Sequence, residues 1–265
     1  MSSIVCVSGM QRSGTSVLST WLELCGLRLH DDESLDVRHY SSEDRDFVKL
    51  HSQALQKKYP RVSSWKVAPR RQLTFTRETQ HQANKLVYIR NQKYANWGWK
   101  DPRTVLYLEQ WKKIVPDLKV VLVWRPCIDV AQSLFNRSRR SKEQAHHISR
   151  REAVKLWRRH NKQIIAFKKK HPDDTLLLPL KYVMQNDIKV FDDIVTRFNI
   201  PLTYEPIYNA YENYLMKKRS RSSLIKFLSR VYRCGSVEAE LLRLSDSESL
   251  SGGNDNATGN IVPAY

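Results

Sequence analysis

Residues 120–124, V-V-L-V-W, constrain this chain more than any other feature. Five consecutive apolar residues halted by Arg125 and Pro126 read as a strand buried on both faces, as strands are inside a parallel sheet covered by helices. A helix is predicted immediately afterwards, capped by Asp129 and carrying Val130, Ala131 and Leu134. Two other segments repeat the pattern. Residues 4–8 form a short apolar run that meets Gly9, and residues 15–25 then place Val17, Leu18, Trp21, Leu22 and Cys25 at helical spacing. Residues 97–100 form another strand, which turns through Asp101 and Pro102 into a helix with Leu106, Leu108 and Trp111 that Pro116 stops. Three strand-then-helix units predict an α/β fold with a central parallel sheet flanked by helices.

Between the first two units, residues 43–58 and 77–94 read as polar helices with a thin apolar stripe, a helical insertion at about 30–95. After the third unit come a long basic amphipathic helix at 147–171, a strand at 175–178 and a helix at 187–198. One domain over 1–234 accommodates all of these. From 235 the composition turns to Ser, Gly, Asn and Asp, so 235–265 is expected to be a flexible tail.

The net charge of +18 implies an anionic partner: a nucleotide, an acidic glycan, nucleic acid or a membrane surface. Thirteen Lys or Arg against two acids between Arg137 and Lys170 supply +11 of it, so one face is strongly positive. No apolar run approaches the ~18 to 20 residues that a membrane span requires, which predicts a soluble protein. The start M-S-S-I-V-C-V-S-G lacks the features of a secretory signal and enters a strand directly, which predicts a cytoplasmic location. Cys6, Cys25, Cys127 and Cys234 lie far apart and read as reduced structural residues, and the sequons at Asn136 and Asn256 then read as chance matches. The eight histidines show no metal-binding spacing, so no metal is expected.

The glycine turn Gly9–Met10–Gln11–Arg12–Ser13–Gly14–Thr15–Ser16 follows a buried strand and opens a helix. Backbone N–H groups at such a turn converge on an anion, and the helix dipole adds about half a positive charge. Gly9, Gly14 and Ser16 match the spacing of the nucleotide-triphosphate P-loop, but Thr15 stands where that motif needs lysine. A loop whose cation has moved to Arg12, with Ser13, Thr15 and Ser16 as neutral donors, suits a less charged, metal-free donor. A plain strand-to-helix turn is the alternative. Arg125, at the end of the apolar strand, and Ser133, eight residues on, form a second anion site at the same sheet edge, where open α/β sheets bind ligands.

These two motifs make the chain resemble the PAPS-dependent sulfotransferases (PAPS is 3′-phosphoadenosine 5′-phosphosulfate), whose 5′-phosphosulfate loop is similar to Q-R-S-G-T-S and whose 3′-phosphate site is similar to R-P-C-I-D-V-A-Q-S. The resemblance is tightest over 3–26 and 97–138 and weaker over 175–200. It implies a three-layer P-loop-like fold and sulfuryl transfer to a hydroxyl or amine of a small-molecule or carbohydrate acceptor, possibly an anionic one. It also implies that residues 12–16 hold the 5′-phosphosulfate and that Arg125 and Ser133 hold the 3′-phosphate. The chain departs from the pattern at Arg12, where the cytosolic branch has lysine, and at Gln11, where other branches have proline. The glycine-containing basic C-terminal motif of the cytosolic branch is not recognisable, and Lys217, Lys218, Arg219 and Arg221 are the candidates to substitute for it.

W-G-W-K-D-P-R falls where related enzymes place a lysine and a base, which makes Lys100 the candidate for stabilising the transferring oxygens and Asp101 the candidate base. Asp101 reads equally as a helix cap or a partner of Arg103. Asp32 and Glu33, in the loop after the first helix, are rival bases. Trp97 and Trp99 read as core or adenine-side packing rather than acceptor stackers. Two other functions share parts of this pattern: a Mg-dependent P-loop kinase, against which the missing loop lysine argues, and a basic nucleic-acid-binding protein, for which no accompanying motif is present.

Overall fold

The computed structural model describes residues 2–31, 43–141, 147–211 and 222–247. Strand β1 (Ser3–Gly9) leads into α1 (Thr15–Leu24), and α2 (Arg45–Lys58) and α3 (Arg77–Lys93) form the insertion before β2 (Asn96–Lys100). A 3-10 turn (Pro102–Leu106) and α4 (Leu108–Ile114) precede β3 (Lys119–Trp124), followed by α5 (Cys127–Arg140) and α6 (Arg150–Lys170). Then come β4 (Thr175–Pro179), α7 (Leu180–Gln185), α8 (Asp187–Phe198), α9 (Tyr208–Tyr211), α10 (Ser223–Val231) and α11 (Cys234–Leu244).

The four strands form one parallel sheet in the order β2-β1-β3-β4. Period-two alternation sends their side chains to two separate cores. Val5, Val7, Val121 and Val123 face α1 and α8, meeting Leu18, Trp21 and Ile194. Ile4, Cys6, Trp97, Trp99, Val120 and Leu122 face the opposite side, where α2, α4, α5 and α6 supply Phe47, Trp111, Val130 and Trp157. Each face is covered, so the apolar continuity of residues 120–124 is explained by burial on both sides. Trp97 and Trp99 are 1% and 0% exposed, and Trp99 stacks on Phe47 at 4.4 Å between ring centroids, which makes them core residues. The four cysteines are buried thiols. Among the described residues no helix is long and apolar enough to cross a membrane.

Three local expectations are corrected. The helix expected after Asp101 is split, because the turn beginning at Pro102 is 3-10 and α4 starts anew at Leu108. Asp129 does not cap α5; the helix begins two residues earlier behind Pro126, and Asp129 sits in its first turn. The boundary placed at 234 is crossed by α11, which buries Cys234, Val237 and Leu241. Beyond α11, Asp246 accepts hydrogen bonds from Lys168 Nζ at 2.7 Å, Arg197 Nη1 at 2.6 Å and Leu177 N at 2.8 Å. The Ser/Gly content that signalled a tail belongs to residues after these anchors, and the apolar spacing of V-E-A-E-L-L-R-L outweighs it. The S-G-G-N-D-N segment lies outside the described residues.

Candidate active site

Strand register places the site. Val7 pairs with Lys100 and Gly9 with Val123, so the C-terminal ends of β2, β1 and β3 lie side by side and deliver Lys100, the glycine loop and Arg125 to one edge. Gly9 has φ 153°, and a Cβ there would stand 2.2 Å from the Val123 carbonyl oxygen, so only glycine permits this approach of β1 to β3. Gly14, at φ 99°, occupies the position before α1, and among the described residues no side chain caps that helix start. The first N–H groups of α1 therefore remain available to an anion. Arg12 holds φ 69°, a left-handed conformation that costs a non-glycine residue on the order of 1 kcal/mol or more and is concentrated at functional sites.

The loop and α5 are joined through this arginine. Arg12 Nε donates to Ser133 Oγ at 3.0 Å, and the Arg12 carbonyl accepts from Arg125 Nη1 at 3.3 Å. Trp157 on α6 donates its Nε1–H to the Arg125 carbonyl at 2.9 Å, which fixes the backbone where β3 ends. The two segments read from the sequence as anion sites thus lie on one continuous edge. Ser13 is fully buried and its hydroxyl oxygen has no hydrogen-bond partner among the described residues, an arrangement that costs about 1–3 kcal/mol unless a ligand satisfies it. That hydroxyl, the uncapped start of α1 and the cations Arg12 and Arg125 fit a phosphate or sulfate group.

Lys100 lies beneath the loop, 1% exposed, with its ammonium 3.1 Å from Ser16 Oγ and 3.0 Å from Glu43 Oε1. Burial pulls its pKa below the usual lysine range, with the Glu43 carboxylate acting in the opposite sense. Glu43 was not read from the sequence. The available signal was weak: an acid just before Asp44, which caps α2 by accepting from Asp46 N at 2.9 Å and Phe47 N at 3.3 Å. Asp44 is itself gripped by Arg90 of α3 at 2.8 Å, and this buried pair sets the position from which Glu43 reaches Lys100.

Asp101 sits in different surroundings from those a base needs. It is 0% exposed; Oδ1 accepts from Arg103 N and Nη1, both at 2.9 Å, and Oδ2 lies 2.8 Å from His51 Nδ1. Trp111 Nε1 donates to His51 Nε2 at 2.8 Å, so the imidazole proton resides on Nδ1 and is donated to Asp101. Burial raises the Asp101 carboxyl, but the His51 hydrogen bond and the Arg103 guanidinium outweigh it and hold the pKa below the ordinary aspartate value. The residue is the cap of the 3-10 turn and the partner of Arg103, the other reading its sequence context allowed. Asp32, Glu33, Lys217, Lys218, Arg219 and Arg221 lie outside the described residues. Gln11 is half-buried in the loop, and Thr15 is buried at the first position of α1.

Comparison with known proteins agrees with this geometry. A sulfotransferase family profile matches residues 5–204. Among solved structures, the chain is similar to the sulfotransferase STF9 from Mycobacterium avium at 15% identity and a TM-score of 0.59, covering 93% of this chain and 78% of that one. The sulfotransferase STF1 from Mycobacterium tuberculosis overlaps at 14% identity and a TM-score of 0.47, covering 87% and 76%. A retinol dehydratase in complex with androsterone and inactive cofactor PAP overlaps at 12% identity and a TM-score of 0.45, covering 94% and 83%. No curated protein matches the chain by sequence. With the family profile spanning three quarters of its length, the chain belongs to the sulfotransferase family and is a PAPS-dependent sulfotransferase.

Proposed function

We propose that the chain sulfates a hydroxyl or amine of a small-molecule or carbohydrate acceptor in the cytoplasm, a location in keeping with its four buried thiols. The observation that carries the site assignment is the Arg12–Ser133 hydrogen bond, which joins the loop to α5. In this reading residues 9–16 hold the 5′-phosphosulfate and Arg125 with Ser133 hold the 3′-phosphate. PAPS, when bound, supplies the sulfuryl group and a phosphate leaving group. Arg12 and Lys100 offset the negative charge that develops there, by positioning and electrostatics rather than covalent chemistry.

Glu43 is the proton acceptor in place of Asp101. It is 32% exposed at its side chain, whereas both Asp101 oxygens are engaged in the interior. Lys100 touches both Ser16 and Glu43, and so ties the donor loop to the base. A cleft of about 170 Å³ lined by Lys66, Lys155 and Arg159, with Glu152 on its wall, supports an anionic acceptor. Lys66 belongs to the segment that Ser64 ties to Arg103 at 3.3 Å, and through it to the end of β2.

Calorimetry with 3′-phosphoadenosine 5′-phosphate tests the donor site. Metal-independent binding, weakened at least ~10-fold in Arg125→Ala by the loss of a charge-assisted contact, is expected. Preference for ATP with Mg²⁺ would overturn the assignment. Glu43→Gln should lower kcat by ~10²- to 10⁴-fold and leave nucleotide affinity unchanged, as removal of a general base does. An Asp101→Asn variant that is stable yet equally inactive would return the role to Asp101.

A further inference from the structure

Helix α10 presents a feature that sulfuryl transfer does not use. Leu224, Phe227 and Val231 are 48%, 61% and 56% exposed, and their i, i+3, i+7 spacing gathers them within about 60° of arc on one side of the helix. The helix does not need them to hold its place. Ile225 is fully buried and Leu228 packs on the core beside it, while Tyr232 receives a hydrogen bond from Arg151 Nε at 2.5 Å. Ser222 N donates to Gln132 Oε1 at 3.2 Å, which fastens the start of α10 to the residue beside Ser133. On the helical wheel Ser223, Arg230 and Lys226 follow Phe227 in that order, all exposed, and α10 contains no acid. Arg233 and Arg151 add exposed cations at its C-terminal end. In the sequence, Lys217, Lys218, Arg219 and Arg221 precede it.

An apolar stripe of this kind on a water-facing helix marks a docking site. Its chemistry selects the partner. A nucleic acid would use the cations and leave three aliphatic and aromatic side chains wet. A second copy would bring its own cations against these, and like-charge contact opposes that pairing. A bilayer carrying anionic lipids satisfies both halves, since side chains of this type enter the headgroup boundary while lysine and arginine meet phosphates. We propose that α10 docks the protein on anionic membrane surfaces through Leu224, Phe227 and Val231, with Lys226 and Arg230 as the electrostatic contacts. The site is independent of the donor edge, and its placement beside α5 puts the sulfuryl-transfer site within one helix of the membrane.

Co-sedimentation of the full chain with phosphatidylcholine vesicles, with and without phosphatidylglycerol, tests this. Binding is expected only with phosphatidylglycerol and should weaken with added salt. Phe227→Glu should reduce partitioning at least ~10-fold, since a charge replaces an apolar group at the interface. Leu224→Ser should reduce it in the same direction. Binding of 3′-phosphoadenosine 5′-phosphate by both variants should equal that of the parent, which reports an intact fold. Failure to sediment with phosphatidylglycerol at low salt would overturn the proposal, as would undiminished binding by Phe227→Glu. A concentration-dependent dimer that Phe227→Glu abolishes would assign the stripe to a second copy instead.

Discussion

The donor edge and the helical insertion meet at Lys100, yet different physics builds them. The edge is made of backbone: glycine conformations at Gly9 and Gly14, an uncapped helix start, and strand ends held side by side by register. The insertion is held by buried charge. Arg90 bridges α3 to Asp44, 46 residues earlier in the chain, and Asp101 reaches His51, 50 residues away. A site assembled from such parts has a glycine-loop cradle that barely depends on its neighbours, and a carboxylate, Glu43, proposed here as the base, whose position depends on ion pairs made elsewhere.

Removing the Arg90 side chain breaks that comparison most severely. Arg90→Ala strips Asp44, at 1% exposure, of its buried cation and should cost about 3–5 kcal/mol in urea unfolding, as expected for a buried pair that loses one partner. Affinity for 3′-phosphoadenosine 5′-phosphate should survive in the folded fraction while kcat falls, because Glu43 is displaced and the loop is not. Equal loss of both would show that the two regions are not separable.

The support of the donor edge can be probed through His160, on the same helix as Trp157. Burial pushes its pKa from the ordinary 6.5 down to about 4, against the small opposing effect of its hydrogen bond to the Leu156 carbonyl. Between those values the unfolded chain takes up a proton that the folded chain refuses. The stabilisation is therefore complete above pH 6.5 and is lost as the pH falls toward 4, amounting to about 3 kcal/mol. Urea titrations across this window should show the slope, and His160→Gln should flatten it.

Arg12→Ala is the smallest change by free energy. It should lower kcat by at least ~10²-fold, about 2.7 kcal/mol, as loss of one electrostatic donor does. Stability should move by no more than about 1.5 kcal/mol, the net worth of its hydrogen bond to Ser133, since the side chain is otherwise exposed. A near-normal turnover would remove Arg12 from the chemistry and leave it as a link between the loop and α5.

The parts that were legible from the residues are those with a local signature. Val120 to Val123 declare a strand by being apolar on both alternating sets, and G-x-x-x-x-G after β1 declares an anion loop because only glycine takes those φ values. Asp101 had two readings in one dimension: W-K-D-P-R shows Arg103 close enough in the chain to pair with it, but nothing there says that His51, 50 residues away, closes around its other oxygen. Glu43 was hidden for the same reason, as one acid among several between α1 and α2. Helix α11 was misread because the serines and glycines after it dominated the composition of the window.

The sequence by itself determined the parallel α/β architecture and the glycine turn that ends its first strand, and it supplied the cations proposed to meet the donor there, because periodicity, glycine conformation and strand ends are properties of short stretches of chain. The tertiary structure decided which carboxylate is exposed beside Lys100 and which is sealed under a histidine, and which apolar face of α10 was left toward water. Carboxylates and leucines are alike along the chain. Their roles are set by what packing brings within about 3 Å of them, and that distance is a property of the folded molecule.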